Sequence, residues 1–201
     1  HSADGPHWGE FLVVALNFAR TSVAVIAGLH AAMFSAAAPA QAQVQPQVQT
    51  KRPNVVIILG DDLGFADLGS FGSEIKTPNL DALAKEGVRF SNFYTHASCS
   101  PTRSMLLSGV DTHLNGLGNM SEWTAPNQRG LVGYEGYLNK NVVTLPQLMK
   151  DAGYHTYMVG KWHLGKAPDR IPAARGFERD FSLLDGAGSY WDMWNFTGAS
   201  P

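Results

Sequence analysis

The segment that most restricts the fold is Asn54-Val-Val-Ile-Ile-Leu-Gly60, an unbroken aliphatic run that passes directly into Asp61-Asp62. A short apolar run without polar alternation, closed by a turn signal, is expected to be a strand buried on both faces. Such strands belong to parallel sheets covered by helices. The segments that follow keep to that scheme. Thr77-Pro78 supplies an N-cap and an N1 proline, Leu80, Leu83 and Ala84 an apolar helix face, and Gly87 a stop. Residues 88–94 alternate apolar and polar side chains and predict a strand. Pro101 opens a short helix through Met105, Leu106 and Leu107, ended by Gly109. Thr144 caps a helix over residues 145–152, stopped by Gly153, and residues 155–159 predict another strand closing on Gly160. Alternating strands and helices without an internal repeat predict an α/β fold, its largely parallel sheet flanked by helices.

Composition narrows the function classes. With 16% charged and 44% hydrophobic residues the chain is not of disordered type. Fifteen Lys+Arg against 17 Asp+Glu leave a net charge of −2 and no basic stripe. A protein that binds nucleic acid by neutralising phosphates needs a basic excess, so that class is set aside. A single cysteine, Cys99, excludes an intramolecular disulfide framework and a multi-cysteine zinc site.

The first fifty residues differ in kind from the rest. Arg20 precedes a run of small and apolar residues ending in Ala38-Pro39-Ala40 and Ala40-Gln41-Ala42, the pattern of a secretory signal peptide with its cleavage site. The many alanines, Gly28 and His30 make the run weakly hydrophobic for a membrane anchor, so no stable membrane span is expected. Residues 1–19 are set aside from the fold, and Gln41 to Thr50 reads as a Gln-rich tether. Residues 1–50 are thus expected to be an export region, which points to a periplasmic or secreted protein. Residues 51–201 are expected to be the folded part.

Three features at predicted strand ends carry chemistry, where open α/β sheets place their ligands. Asp61 and Asp62 are adjacent carboxylates, costly to hold together without a cation, and suit Ca²⁺ or Mg²⁺; the pair equally fits a solvated turn. Cys99 sits in Cys99-Ser-Pro-Thr-Arg103, at a helix start where N–H groups and Arg103 make an electropositive pocket for a nucleophile. A lone cysteine is also commonly a small buried hydrophobe. Lys161 and His163, two apart in Gly160-Lys-Trp-His-Leu-Gly165, share a face if the chain is extended there and suit an anionic group with a leaving oxygen. The alternative is an exposed loop with Trp162 in the core. His96, His113 and His155 form no ligand spacing and receive no role.

Together these residues resemble a known family. Cys99-x-Pro101-x-Arg103, followed by Ser104, Leu106-Leu107 and Gly109, is similar to the type I sulfatase signature. Gly153-Tyr-His-Thr-Tyr-Met-Val-Gly-Lys-Trp-His-Leu-Gly165 resembles the second sulfatase signature, and Arg52 to Gly64 the first strand and metal loop. Thr77-Pro-Asn-Leu-Asp-Ala-Leu-Ala and Arg175-Gly-Phe-Glu178 also fit, so the likeness runs in order from Lys51 to Glu178. Bacterial arylsulfatases are the nearest subgroup.

The resemblance implies an alkaline-phosphatase-like α/β sandwich with a large central, mostly parallel sheet, of which residues 51–201 form the N-terminal part. It implies that a maturation enzyme, reading Cys99, Pro101 and Arg103, oxidises Cys99 to Cα-formylglycine. One hydroxyl of the aldehyde hydrate attacks sulfur and displaces the alcohol, and the other expels sulfate. Asp61, Asp62 and the converted position 99 would bind Ca²⁺, or Mg²⁺. Arg103 would hold the hydrate, and Lys161 and His163 would contact the formylglycine and the sulfate oxygens. The substrate is then a small-molecule sulfate ester. The family's remaining metal ligands, with a further His and Lys, are expected beyond Pro201, so the 201-residue polypeptide alone is expected to be inactive. Rival readings are a phosphonate monoester or phosphodiester hydrolase of the same superfamily and a non-catalytic exported anion-binding protein. An alkaline-phosphatase-type phosphomonoesterase would want Ser or Thr at position 99.

Overall fold

The structure, a computed structural model, describes residues 52–188 and the backbone of Leu12–Ala15 and Phe196–Thr197. The expected signal peptide and the Gln-rich tether lie outside the described residues. Leu12–Ala15 is strand β1, and Val56–Leu59, within the aliphatic run, is β2. They pair antiparallel, with Leu12 opposite Leu59 and Ala15 opposite Val56. This pairing adds to the expected fold four residues of the stretch set aside above, whose aliphatic character matches that of β2.

β2 is not buried on both faces. Val56 is 56% and Ile58 46% exposed. A strand is buried by layers stacked on it as well as by its ladder, and among the described residues no layer covers β2. A second expectation fails at residues 88–94, which form no strand. Val88 and Tyr94 are exposed and no described segment pairs with them; alternation makes a strand only where a ladder partner exists.

The helices start and stop near where their punctuation predicts. Helix α1 is Pro78–Glu86, α2 Cys99–Ser108, α3 Thr112–Asn115 and α4 Leu145–Asp151. Gly109 and Gly116 end α2 and α3 in the left-handed region, at φ 66° and 98°. The expected threonine caps hold by position but not by mechanism. Thr77 Oγ1 accepts from the Gly69 amide at 2.9 Å and donates to Asp81, while Thr144 Oγ1 donates to the Arg175 carbonyl. Neither side chain caps its own helix; each ties its helix start to a distant turn.

Strand β3, Tyr157–Lys161, begins two residues later than expected. It pairs in parallel with β4, Arg179–Leu183, from Tyr157 opposite Arg179 to Lys161 opposite Leu183. The delay comes from a distant segment: Thr156 bonds the Gly176 carbonyl through its hydroxyl and the Glu178 amide through its carbonyl, which fixes the entry to the ladder. Gly160 lies inside β3 at φ 115° instead of closing it. β5, Phe196–Thr197, pairs antiparallel with β4.

The core gathers beside β3. Trp162, Leu164, Leu117, Leu138 and Leu184 form one buried cluster, with Phe177 edge-on to Trp162. Trp162 donates its indole N–H to the Arg170 carbonyl at 3.0 Å, so the ring buries fully without an orphaned donor. A polar knot backs α2. Asn115, fully buried, donates to Ser104 Oγ and the Val110 carbonyl and accepts from the Leu117 amide. The buried stretch of α2, Ser100 to Ser104, is therefore anchored by hydrogen bonds more than by apolar packing.

Candidate active site

Three chain segments converge on one cleft. The turn after β2 carries Asp61 and Asp62, the N-terminus of α2 carries Cys99 and Arg103, and the end of β3 with its following turn carries Lys161 and His163. Ligand atoms of Asp61, Asp62 and Cys99 all lie within 4.8 Å of one another. Asp62 occupies the left-handed region at φ 55°, a conformation Asp tolerates because its short polar side chain can bond locally. Cys99 is the first residue of α2, in the turn whose amides lack intrahelical partners.

A buried and a half-buried cation hold Asp61. Lys161 Nζ lies 2.9 Å from Asp61 Oδ2, and Arg103 Nη2 lies 3.2 Å from Asp61 Oδ1. Arg103 also donates to the Lys161 carbonyl at 2.7 Å, which locks α2 to the end of β3. Burial alone would lower the Lys161 pKa. Hydrogen bonds to Asp61 and Cys99, and their negative charge, outweigh burial and raise it, so the ammonium stays charged.

His163 does not share an extended face with Lys161. Its φ of 58° turns the chain, and its ring is directed to Glu122 instead, with Nε2 2.9 Å from Oε1. Burial depresses the His163 pKa, and Lys161 and Arg103 add to this, against the opposing pull of Glu122. Its Nδ1 is buried and has no hydrogen-bond partner among the described residues. Gly186 lies against the same ring: a Cβ there would stand 2.5 Å from His163 Cε1 and 3.0 Å from Glu122 Oε1.

Asp61, Asp62, Cys99, Arg103, Lys161 and His163 thus line one cleft, while Pro101 is buried in the first turn of α2. Glu122 and Gly186 were not legible, because Glu122 lies 41 positions from His163 in a 3₁₀ turn, Ser121–Trp123, without a motif of its own. His113 and His155 pair with exposed partners, Tyr134 and Glu178, and His96 with Ser98.

The comparison with known proteins decides the family. A family model described as Sulfatase matches residues 53–200. The chain belongs to the sulfatase family. This sulfatase is 54% identical over 148 residues to an uncharacterized sulfatase of Schizosaccharomyces pombe, covering 72% of this chain and 27% of that protein. It is 44% identical over 144 residues to the arylsulfatase of Klebsiella aerogenes, covering 72% and 31%. Among solved structures it is similar to Ps i-CgsB, at TM-score 0.54 and 36% identity over 65% of this chain and 28% of that one. The PsFucS1 sulfatase from Pseudoalteromonas sp. gives TM-score 0.50 and 30% identity, over 62% and 24%. The sulfatase chain therefore spans about a quarter to a third of the relatives it matches. Its parallel β3–β4 pair with flanking helices is the part of the α/β sulfatase fold that the described residues contain.

Proposed function

We propose that this chain carries the sulfate-ester-cleaving centre of an exported arylsulfatase-type hydrolase, with Cys99 matured to formylglycine. The supporting observation is the meeting of Asp61, Asp62 and Cys99 within 4.8 Å, with Lys161 and Arg103 paired to Asp61. A divalent cation fits this donor set on one condition. Two carboxylates are hard ligands, but a cysteine sulfur is soft and ill matched to Ca²⁺ or Mg²⁺. Replacing the sulfur by the oxygen of a formylglycine makes the three donors alike.

Asp61 and Asp62 would hold the metal, which supplies a Lewis acid for a sulfate oxygen and favours an ionised hydroxyl at position 99. Arg103 and Lys161 keep Asp61 in place and present fixed positive charge to the anionic ester. Lys161, held protonated, donates hydrogen bonds to position 99 and to the ester oxygens. His163, held neutral by burial, has Nδ1 available to accept a proton from a hydroxyl at position 99. Pro101 and Arg103, with Cys99, form the motif read by a maturation enzyme. Ca²⁺ takes six to eight oxygens, so the three donor groups found among the described residues leave most of a coordination shell to other ligands.

The test is steady-state hydrolysis of an aryl sulfate, beside the corresponding aryl phosphonate monoester, by the complete protein containing this chain. It is expressed with a formylglycine-generating enzyme and supplied with Ca²⁺. Turnover of the sulfate ester, abolished in Cys99→Ala, is expected. A higher kcat/KM for the phosphonate would assign the site to that reaction, and equal rates in Cys99→Ala would remove Cys99 from the chemistry.

A further inference from the structure

The His163 ring is held by a partner outside the motifs, and that contact carries an inference of its own. An imidazole has two nitrogens with opposite roles in its neutral form, one donor and one acceptor; the partner of one decides the state of the other. Here Nε2 faces the Glu122 carboxylate at 2.9 Å, and an ionised carboxylate can only accept. Nε2 must therefore carry the hydrogen, and Nδ1, buried without a partner among the described residues, is left with its lone pair.

We propose that Glu122 is a positioning residue for the sulfatase chemistry, fixing His163 as the Nε2–H tautomer so that Nδ1 is the acceptor for a proton released from a hydroxyl at position 99. The proposal rests on the functional reading above only for the chemistry that Nδ1 serves. The tautomer itself follows from the geometry. Gly186 belongs to the same device, because a methyl group at that position would meet the His163 ring at 2.5 Å and push it off the carboxylate. The left-handed backbone of His163, at φ 58°, turns the ring toward Glu122 and away from the direction an extended strand would give it. Glu122 is partly exposed and the imidazole is not, so the carboxylate keeps its solvation while orienting a buried base.

The experiment has two readouts. Nitrogen-15 NMR of the imidazole at neutral pH reports the tautomer in the protein, in Glu122→Ala and in Glu122→Gln, with thermal melts to establish folding. The Nε2–H form is expected in the parent and in Glu122→Gln, whose amide oxygen still accepts, and a mixture of tautomers in Glu122→Ala. Aryl sulfate kinetics on the complete matured protein are expected to show kcat lowered in Glu122→Ala on the order of 10–100-fold with KM little changed, the size typical of losing a carboxylate behind a functional histidine. Glu122→Gln is expected to recover part of that loss. An Nδ1–H tautomer in the parent overturns the proposal, as does Glu122→Ala with parental tautomer and kcat. If the tautomer shifts as expected while no sulfate ester is ever hydrolysed, the functional reading fails and the Glu122–His163 assignment stands.

Discussion

At the scale of single residues the cleft is a problem of charge held in confined space. Lys161 and Arg103 both hold Asp61, and its ligand atoms lie within 4.8 Å of those of Asp62 and Cys99, so carboxylates and cations already face one another before any ligand arrives. His163 is the uncharged member of the group. Its folded-state pKa lies below the ordinary value of 6.5, chiefly through burial, so the unfolded chain binds a proton more readily than the folded one. The sign follows from linkage: stability from this residue is fully present above pH 6.5 and declines as pH falls below that value toward the folded pKa. His96, depressed by burial and by His113, acts in the same direction. Thermal melts between pH 7.5 and 5 should show the parent losing stability, with a shallower loss in His163→Gln. Parallel curves for the two proteins would mean that His163 is not buried neutral.

At the scale of elements, what could be read from the sequence was punctuation, and what could not was partnership. Gly109 and Gly153 mark helix ends because left-handed turns are a local demand that a local residue meets, while Thr77 and Thr144 stand at helix starts with their hydroxyls bonded elsewhere. The ladder partners of β2 and of residues 88–94 are properties of other segments, and a pattern of alternation carries no information about them. The start of β3 was misplaced for the same reason: Thr156 is spent on Gly176 and Glu178, twenty and more positions away. The same contact makes Gly176 a structural hinge point, at φ 104° with a would-be Cβ 2.5 Å from the Gln147 amide nitrogen at the start of α4. Gly176→Ala is expected to cost more than about 1 kcal/mol in urea unfolding, since the substitution strains the backbone and meets backbone atoms that cannot yield. A change within about 0.5 kcal/mol would contradict the close approach of this turn to α4.

At the scale of the whole molecule, the described residues hold one face of a site on a scaffold that leaves apolar surface open. Val56, Ile57 and Ile58 on β2, Val55 just before it, and Val88, Phe90 and Tyr94 beyond α1 are all exposed. The cleft is better anchored than the strands around it: Arg103 bridges to Lys161, Asn115 ties α2 to the loop after α3, and Trp162 roots the turn that carries His163. The residues of the candidate site were legible because Cys99-x-Pro-x-Arg103, Asp61-Asp62 and Lys161-x-His163 are local strings. Their convergence across 100 positions, from Asp61 to Lys161, is what the fold adds. The account stands most directly on the fate of Cys99. Mass spectrometry of the peptide containing Cys99, after expression with a competent formylglycine-generating enzyme, should find the aldehyde in place of the thiol, and the thiol again when Pro101 or Arg103 is replaced by alanine. An unmodified thiol in the parent chain under those conditions would contradict it.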